Sequence, residues 1–142
     1  MKTHALVAFV AGALLIMAAP YRGVAHHSFA AEFDAARPIE LTGVVKEMRF
    51  SNPHSWIMVM VKTASGEVQE WAIEGAAPNA LLRRGWSRKS LPVGTEIRVR
   101  GYQARDRSLK AAGRDVTLSD GSRLFVGSTE SDRPDAADAP RK

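Results

Sequence analysis

Between Glu96 and Tyr102, Ile97, Val99 and Gly101 alternate with Arg98 and Arg100, the period of two expected of a strand with one buried face. Other runs of strand length lie on both sides of it. Leu41 to Phe50 is rich in β formers (Val44, Val45, Met48, Phe50) and stops at Ser51-Asn52-Pro53, a turn composition. Trp56 to Val61 is an unbroken apolar run ended by Ser65-Gly66, and Val68 to Ile73 follows with Trp71 inside it. These two are expected to pair as a hairpin across Ala64-Ser65-Gly66-Glu67. In the fifth run, Ala112 to Leu118, one parity holds Ala112, Arg114, Val116 and Leu118. Asp120-Gly121 then turns the chain into Arg123 to Val126.

One segment breaks the period. Pro78-Asn79-Ala80-Leu81-Leu82-Arg83-Arg84 puts a proline where a first helical turn tolerates it, good helix formers behind it and Gly85 as a stop. The order is three strands, one short helix, two strands and a small hairpin. The expected fold class is all-β: a small five-stranded OB-like Greek-key barrel with one short helix between strands 3 and 4. Another small barrel or a sandwich would share the strand spacing, but the position of the helix favours the OB order.

The two ends read differently. Lys2 precedes an uncharged stretch from Ala5 to Ala19, too short and too rich in alanine for a comfortable membrane span. Gly23-Val24-Ala25 then offers small residues at the positions a signal peptidase inspects. The expectation is a signal peptide over residues 1–25, cleaved after Ala25, with an uncleaved anchor as the competing reading. Residues 26–127 then form the barrel domain, periplasmic or secreted and with no stable membrane insertion. Past Gly127 no apolar residue is larger than alanine, so residues 128–142 are expected to be a disordered tail.

A chain of 142 residues, 45 % hydrophobic and 25 % charged, is of one-domain length. The net charge of +5 falls to +3 in the mature form, because the leader removes Lys2 and Arg22 and no acids. That mild positive charge suits anionic envelope material but identifies no partner. With no cysteine, the chain has neither a disulfide framework nor thiolate metal ligands.

No nucleophile elbow, phosphate-cradling glycine loop or His-Glu-x-x-His helix is present. The carboxylates Glu32, Asp34, Glu70, Glu74, Asp106 and Asp115 show no spacing that singles out an acid–base pair. The expectation is a binding protein rather than an enzyme. Histidine is scarcer and more informative, since the mature chain keeps only His26, His27 and His54. An amino-terminal histidine chelates copper through its α-amine and imidazole, and His27 or His54 can add a nitrogen. The bland reading is that the pair makes a soluble, cleavable junction.

Counting by two from His54 gives Trp56, Met58 and Met60 on one strand face, with Ile57, Val59 and Val61 on the other. A His, a Trp and two thioethers suit Cu(I) or Ag(I). The set is similar in kind to that of the periplasmic copper and silver chaperones of efflux systems, whose tryptophan is spaced differently. The plainer reading is a strand buried on both faces, with Met filling irregular gaps. Trp56, Trp71, Tyr102, Arg98 and Arg100 could in principle hold a single nucleic-acid strand. Export and the modest charge argue against it, so no nucleic-acid partner is expected.

His26-His27-Ser28-Phe29-Ala30-Ala31-Glu32-Phe33-Asp34, Asn52-Pro53-His54 and Pro78 to Trp86 together carry a resemblance, as do Gly101-Tyr102 and Ser119 to Phe125. The chain resembles a family of small exported bacterial proteins classed as a domain of unknown function, number 6152 in that series. The likeness runs from His26 to about Ser128. It implies secretion and a compact β domain, with no established activity, substrate or cofactor. The family motif includes His26, His27 and His54 but not Met58 and Met60, which favours a histidine site over a thioether one. In an OB-fold the loops joining strands 1–2 and 4–5 flank the ligand face, here Asn52-Pro53-His54 and Ala104 to Ala111. The Phe29–Phe33 segment is expected to lie across the barrel and bring His26 towards His54. Two functions follow as expectations. One is a metal-binding accessory protein, with copper on His26, His27 and His54 and with Met58, Met60 and Trp56 as secondary candidates. The other is a metal-free envelope module contacting a protein or glycan through Trp56, Trp71 and Arg83-Arg84.

Overall fold

The computed structural model describes residues 29–128. The expected leader, His26, His27 and the tail beyond Ser128 lie outside the described residues. In chain order the elements are α1 (Phe29–Glu32), β1 (Phe33–Arg49), β2 (Trp56–Lys62), β3 (Val68–Glu74), α2 (Pro78–Arg83), β4 (Glu96–Ala104), β5 (Lys110–Leu118) and β6 (Arg123–Phe125). Hydrogen bonding runs β3-β2-β1-β4-β5-β6, and a parallel pairing of β3 with β5 closes the ring. That pairing is short: Ala72 with Lys110, Ile73 with Ala111, Glu74 with Ala112. The chain is therefore an OB-like barrel of five strands, with β6 added outside the ring and α2 between the third and fourth strands.

β1 has two partners. Residues from Phe33 to Val44 pair with β4, and those from Val44 to Arg49 pair with β2. It begins eight residues before the β-rich run at Leu41. Pro38, which cannot donate to a ladder, sits where the register with β4 shifts. From Phe33 to Pro38 the sequence carries no period of two, so nothing local marks this stretch as a strand; the alternation begins with Ile39 and Leu41.

Inside the ring, Ile57 and Val59 of β2, Ile73 of β3, Ile97 and Val99 of β4 and Val116 of β5 are almost fully buried. They match the inward parity expected of β2 and β4. α2 contributes Leu81, which is fully buried with Ala76, Trp86 and Leu91 in the same cluster. Pro78 opens the helix at a position where no side chain caps it. The Trp86 indole donates to the Phe125 carbonyl at 3.0 Å, and Arg84 donates to the Gly127 carbonyl at 2.6 Å. The Arg84 guanidinium also lies 4.9 Å above the Phe125 ring. The helix thus fastens the last strand to the barrel.

β5 departs from its expected single parity. Gly113 pairs with Gly101 while Asp115 pairs with Arg100, so Arg114 is an extra residue in a bulge. Ala111 and Gly113 are buried before the bulge and Val116 after it. Ala112 and Arg114 therefore do not share a core face with Val116. The bulge also leaves Asp115 only 4 % exposed, on the outer side of the barrel. Arg100 donates to both of its oxygens at 3.0 Å and Arg123 donates to both at 3.1 Å. Arg100, expected on a solvated strand face, is one arm of this clamp.

Candidate functional site

The residues Phe50 to Ser55 connect β1 to β2. The Ser51 hydroxyl donates to the His54 carbonyl at 2.8 Å, and the Asn52-Pro53 peptide is cis. Ser55 then joins the strand ends, donating its backbone N–H to Ala76 and accepting from Gly75. His54 is thereby held beside the end of β3. Its Nδ1 lies 3.3 Å from the Gly75 carbonyl and 3.3 Å from Glu74 Oε1. Both neighbours are acceptors, so Nδ1 is the ring nitrogen placed to donate. The two side chains are only 19 % and 13 % exposed, so solvent screens the contact weakly.

Trp56 faces Glu74 directly across the β2–β3 ladder. α1 approaches from the other side. Phe29 meets the Tyr102 ring edge-on at 5.5 Å and the Phe33 ring at 5.7 Å. Arg105 donates its backbone N–H to the Glu32 carbonyl at 2.9 Å and its side chain to the Ala30 carbonyl at 2.7 Å. The Glu32 carboxylate pairs with Lys110, whose ammonium sits 5.6 Å above the Phe33 ring. The aromatic segment lies across the barrel, as its two phenylalanines suggested.

These elements line an open pocket of about 410 Å³. The loop and β2 supply Asn52, Pro53, His54 and Trp56, β3 supplies Glu74, and α1 supplies Ala31 and Glu32. The volume is that of a small-ligand site, on the strand 2–3 face where OB-folds bind. Of the residues singled out from sequence, His54 and Trp56 reach the pocket. Met58 and Met60 do not. They continue along the same outer face, half-buried, opposite Ala72 and Glu70. Trp71 is 7 % exposed in the core, and Arg84 is engaged with the Gly127 carbonyl, so neither presents a contact face.

Glu74 and Glu32 were not distinguished from other carboxylates by spacing. The hairpin register already places Glu74 opposite Trp56 and is the signal that finds it. Glu32 has no comparable local signal, since its partner Lys110 is 78 residues away. Among the described residues, no three His, Asp or Glu side chains are grouped to hold a metal ion. No described helix is long and apolar enough to cross a membrane.

The loop that seats α1 is itself ordered by Asp106. Ser108 donates its hydroxyl at 2.7 Å and its backbone N–H at 2.9 Å to this carboxylate. The hydroxyl first, and then the amide, hold the carboxyl below its ordinary value of 3.8. The contribution to stability is therefore present above the ordinary carboxylate range and disappears as pH falls through the lowered value. A carbon-detected NMR titration should give Asp106 a midpoint below 3.8 in the folded protein. A midpoint at or above that value would mean the turn is not formed.

No curated protein and no solved structure matches the chain. A family model does, over residues 13–113, a span that includes α1, the Asn52-Pro53-His54 loop and every residue lining the pocket. The chain belongs to the family of unknown function DUF6152.

Proposed function

We propose that the protein is an exported, periplasmic binding protein whose ligand is a copper ion, held by His54 together with His26 and His27. The observation that carries this reading is the ring of His54. A metal-binding histidine typically donates its second ring N–H to a carboxylate or a backbone carbonyl, which orients it and strengthens the lone pair. His54 Nδ1 has both kinds of acceptor at 3.3 Å, and the residue lines a pocket whose wall is α1. His27 precedes Phe29 by two residues and His26 by three, a reach of roughly 7–10 Å of extended chain. In this proposal His26 and His27 supply the donors that the described pocket lining lacks. The role is binding rather than catalysis, and the partner is the ion or the envelope component that receives it.

The test uses the full 142-residue chain exported with its own leader. The intact mass of the periplasmic form should correspond to a protein beginning at His26. That form should bind one Cu(II), and His54→Ala should weaken it by at least about tenfold. An alanine inserted after Ala25 should have a comparable effect, because it moves the α-amine away from the His26 imidazole. Binding indifferent to both changes would remove the metal reading and leave a metal-free envelope module as the function to pursue.

A further inference from the structure

We infer that the connector between β3 and β4, which carries α2, docks the protein on a bilayer surface bearing anionic headgroups; the inference does not rest on the copper reading above. From Gly75 to Thr95 the chain has no acidic residue and four basic ones, Arg83, Arg84, Arg88 and Lys89. Elsewhere on the barrel cations meet carboxylates: Lys46, Arg49, Arg98, Arg100, Lys110 and Arg123 each lie in an ion pair. Among the described residues, the four of the connector face no carboxylate. Arg84 is held on the Gly127 carbonyl and the Phe125 ring, and Arg88 lies 5.6 Å over the Phe50 ring. Those contacts leave both charges in place.

The connector has an inner and an outer side. Leu81, Trp86 and Leu91 are its inward residues, each almost fully buried in one core cluster. The residues beside and between them form the outer surface, where Leu82, Arg83, Arg88, Lys89 and Val93 are all exposed. Leu82 is 53 % exposed and Val93 75 %, the most of any large hydrophobic residue described. Basic side chains with aliphatic ones among them and no acids are the composition of a membrane-surface contact. The cations are drawn to headgroup phosphates, while Leu82 and Val93 leave water at the acyl boundary. A soluble polyanion would neutralise the cations but leave the aliphatic side chains wet, which favours the bilayer. α2 spans only Pro78–Arg83, so the contact lies on the surface rather than through it.

The experiment measures flotation of the exported protein with vesicles of phosphatidylcholine alone and of phosphatidylcholine with phosphatidylglycerol. It is run at low and high ionic strength, with a chelator present so that copper plays no part. Partitioning onto the anionic vesicles is expected at low salt. It should be at least about tenfold weaker on neutral vesicles or at high salt, where exposed charges are screened. A basic residue near an anionic surface is worth about fivefold. The Arg83→Ser/Arg88→Ser/Lys89→Ser variant should therefore lose at least about tenfold, and Arg98→Ser, on the outer face of β4, less than about twofold. Leu82→Ser/Val93→Ser keeps every charge; it should lose at least about threefold on vesicles yet bind dextran sulfate unchanged. Every substituted side chain is exposed, so the variants should melt within a few degrees of the parent. No partitioning, or partitioning that the triple variant leaves intact, would overturn the inference. So would binding that falls with the cations but ignores Leu82→Ser/Val93→Ser, since the face would then read charge alone.

Discussion

Replacing Gly101 by alanine is expected to lower stability by about 3 kcal/mol, near the upper end of the usual cost of overpacking. For a domain of this size that is a fall in melting temperature of roughly 12–24 °C. Gly101 lies in the middle of β4, between Ile39 of β1 and Gly113 of β5. A Cβ at this position would stand 2.1 Å from the Ala112 carbonyl oxygen and 3.2 Å from the Gly113 Cα. Both are backbone atoms, so no rotamer change relieves the contact. The strands must separate at the bulge, in a ring closed on its far side by only three residue pairs. Gly66→Ala is the control. Gly66 has a φ of 87° with open space around it, so alanine there meets only the left-handed backbone penalty of about 1 kcal/mol. Thermal melts of the two variants should differ widely. If Gly101→Ala melts within a few degrees of Gly66→Ala, the strands are not packed as described.

Asp115→Ala should cost about 2 kcal/mol, the scale of hydrogen bonds to a charged group. Its carboxylate accepts four N–H contacts from Arg100 and Arg123 and is almost fully buried. Removing it leaves two cations that are 40 % and 55 % exposed and can return to water, which keeps the cost below that of stranding a buried charge. Arg100→Ala and Arg123→Ala should each cost less than 1 kcal/mol, because the other arginine still neutralises Asp115. The double replacement should cost more than the two single effects together, since it strands the carboxylate. Denaturant unfolding of the four variants measures this directly. Additive arginine effects, or an Asp115→Ala loss under about 0.5 kcal/mol, would show that the clamp contributes little.

Both predictions concern the bulge, and the bulge explains where sequence periodicity stops working. In β2 and β4 each side chain's face follows from its neighbours two residues away. Ile57, Val59, Ile97 and Val99 were therefore readable as core. One extra residue at Arg114 inverts that relation for the rest of β5, and only the partner strand reveals the insertion. The start of β1 before Pro38 is hidden for a different reason, since its residues carry no period of two. At the candidate site, His54 and Trp56 were visible because a scarce residue type and a strand parity are local properties. Trp71, expected as a contact residue, shares its parity with Ile73 and lies in the core, opposite the face of Glu70 and Glu74.

By itself, the sequence determined the order of the strands, the helix between the third and fourth, the hairpin turns and the core faces of β2 and β4. Each of these depends on residues within a few positions of one another. The tertiary structure alone decided that β3 closes on β5 and that α1 lies across the barrel. It also decided that Glu32 reaches the His54 pocket while Met58 and Met60 do not. Those outcomes join residues as far apart as Glu32 and Lys110. Barrel curvature and strand register, not any pattern repeated along the chain, bring such residues together.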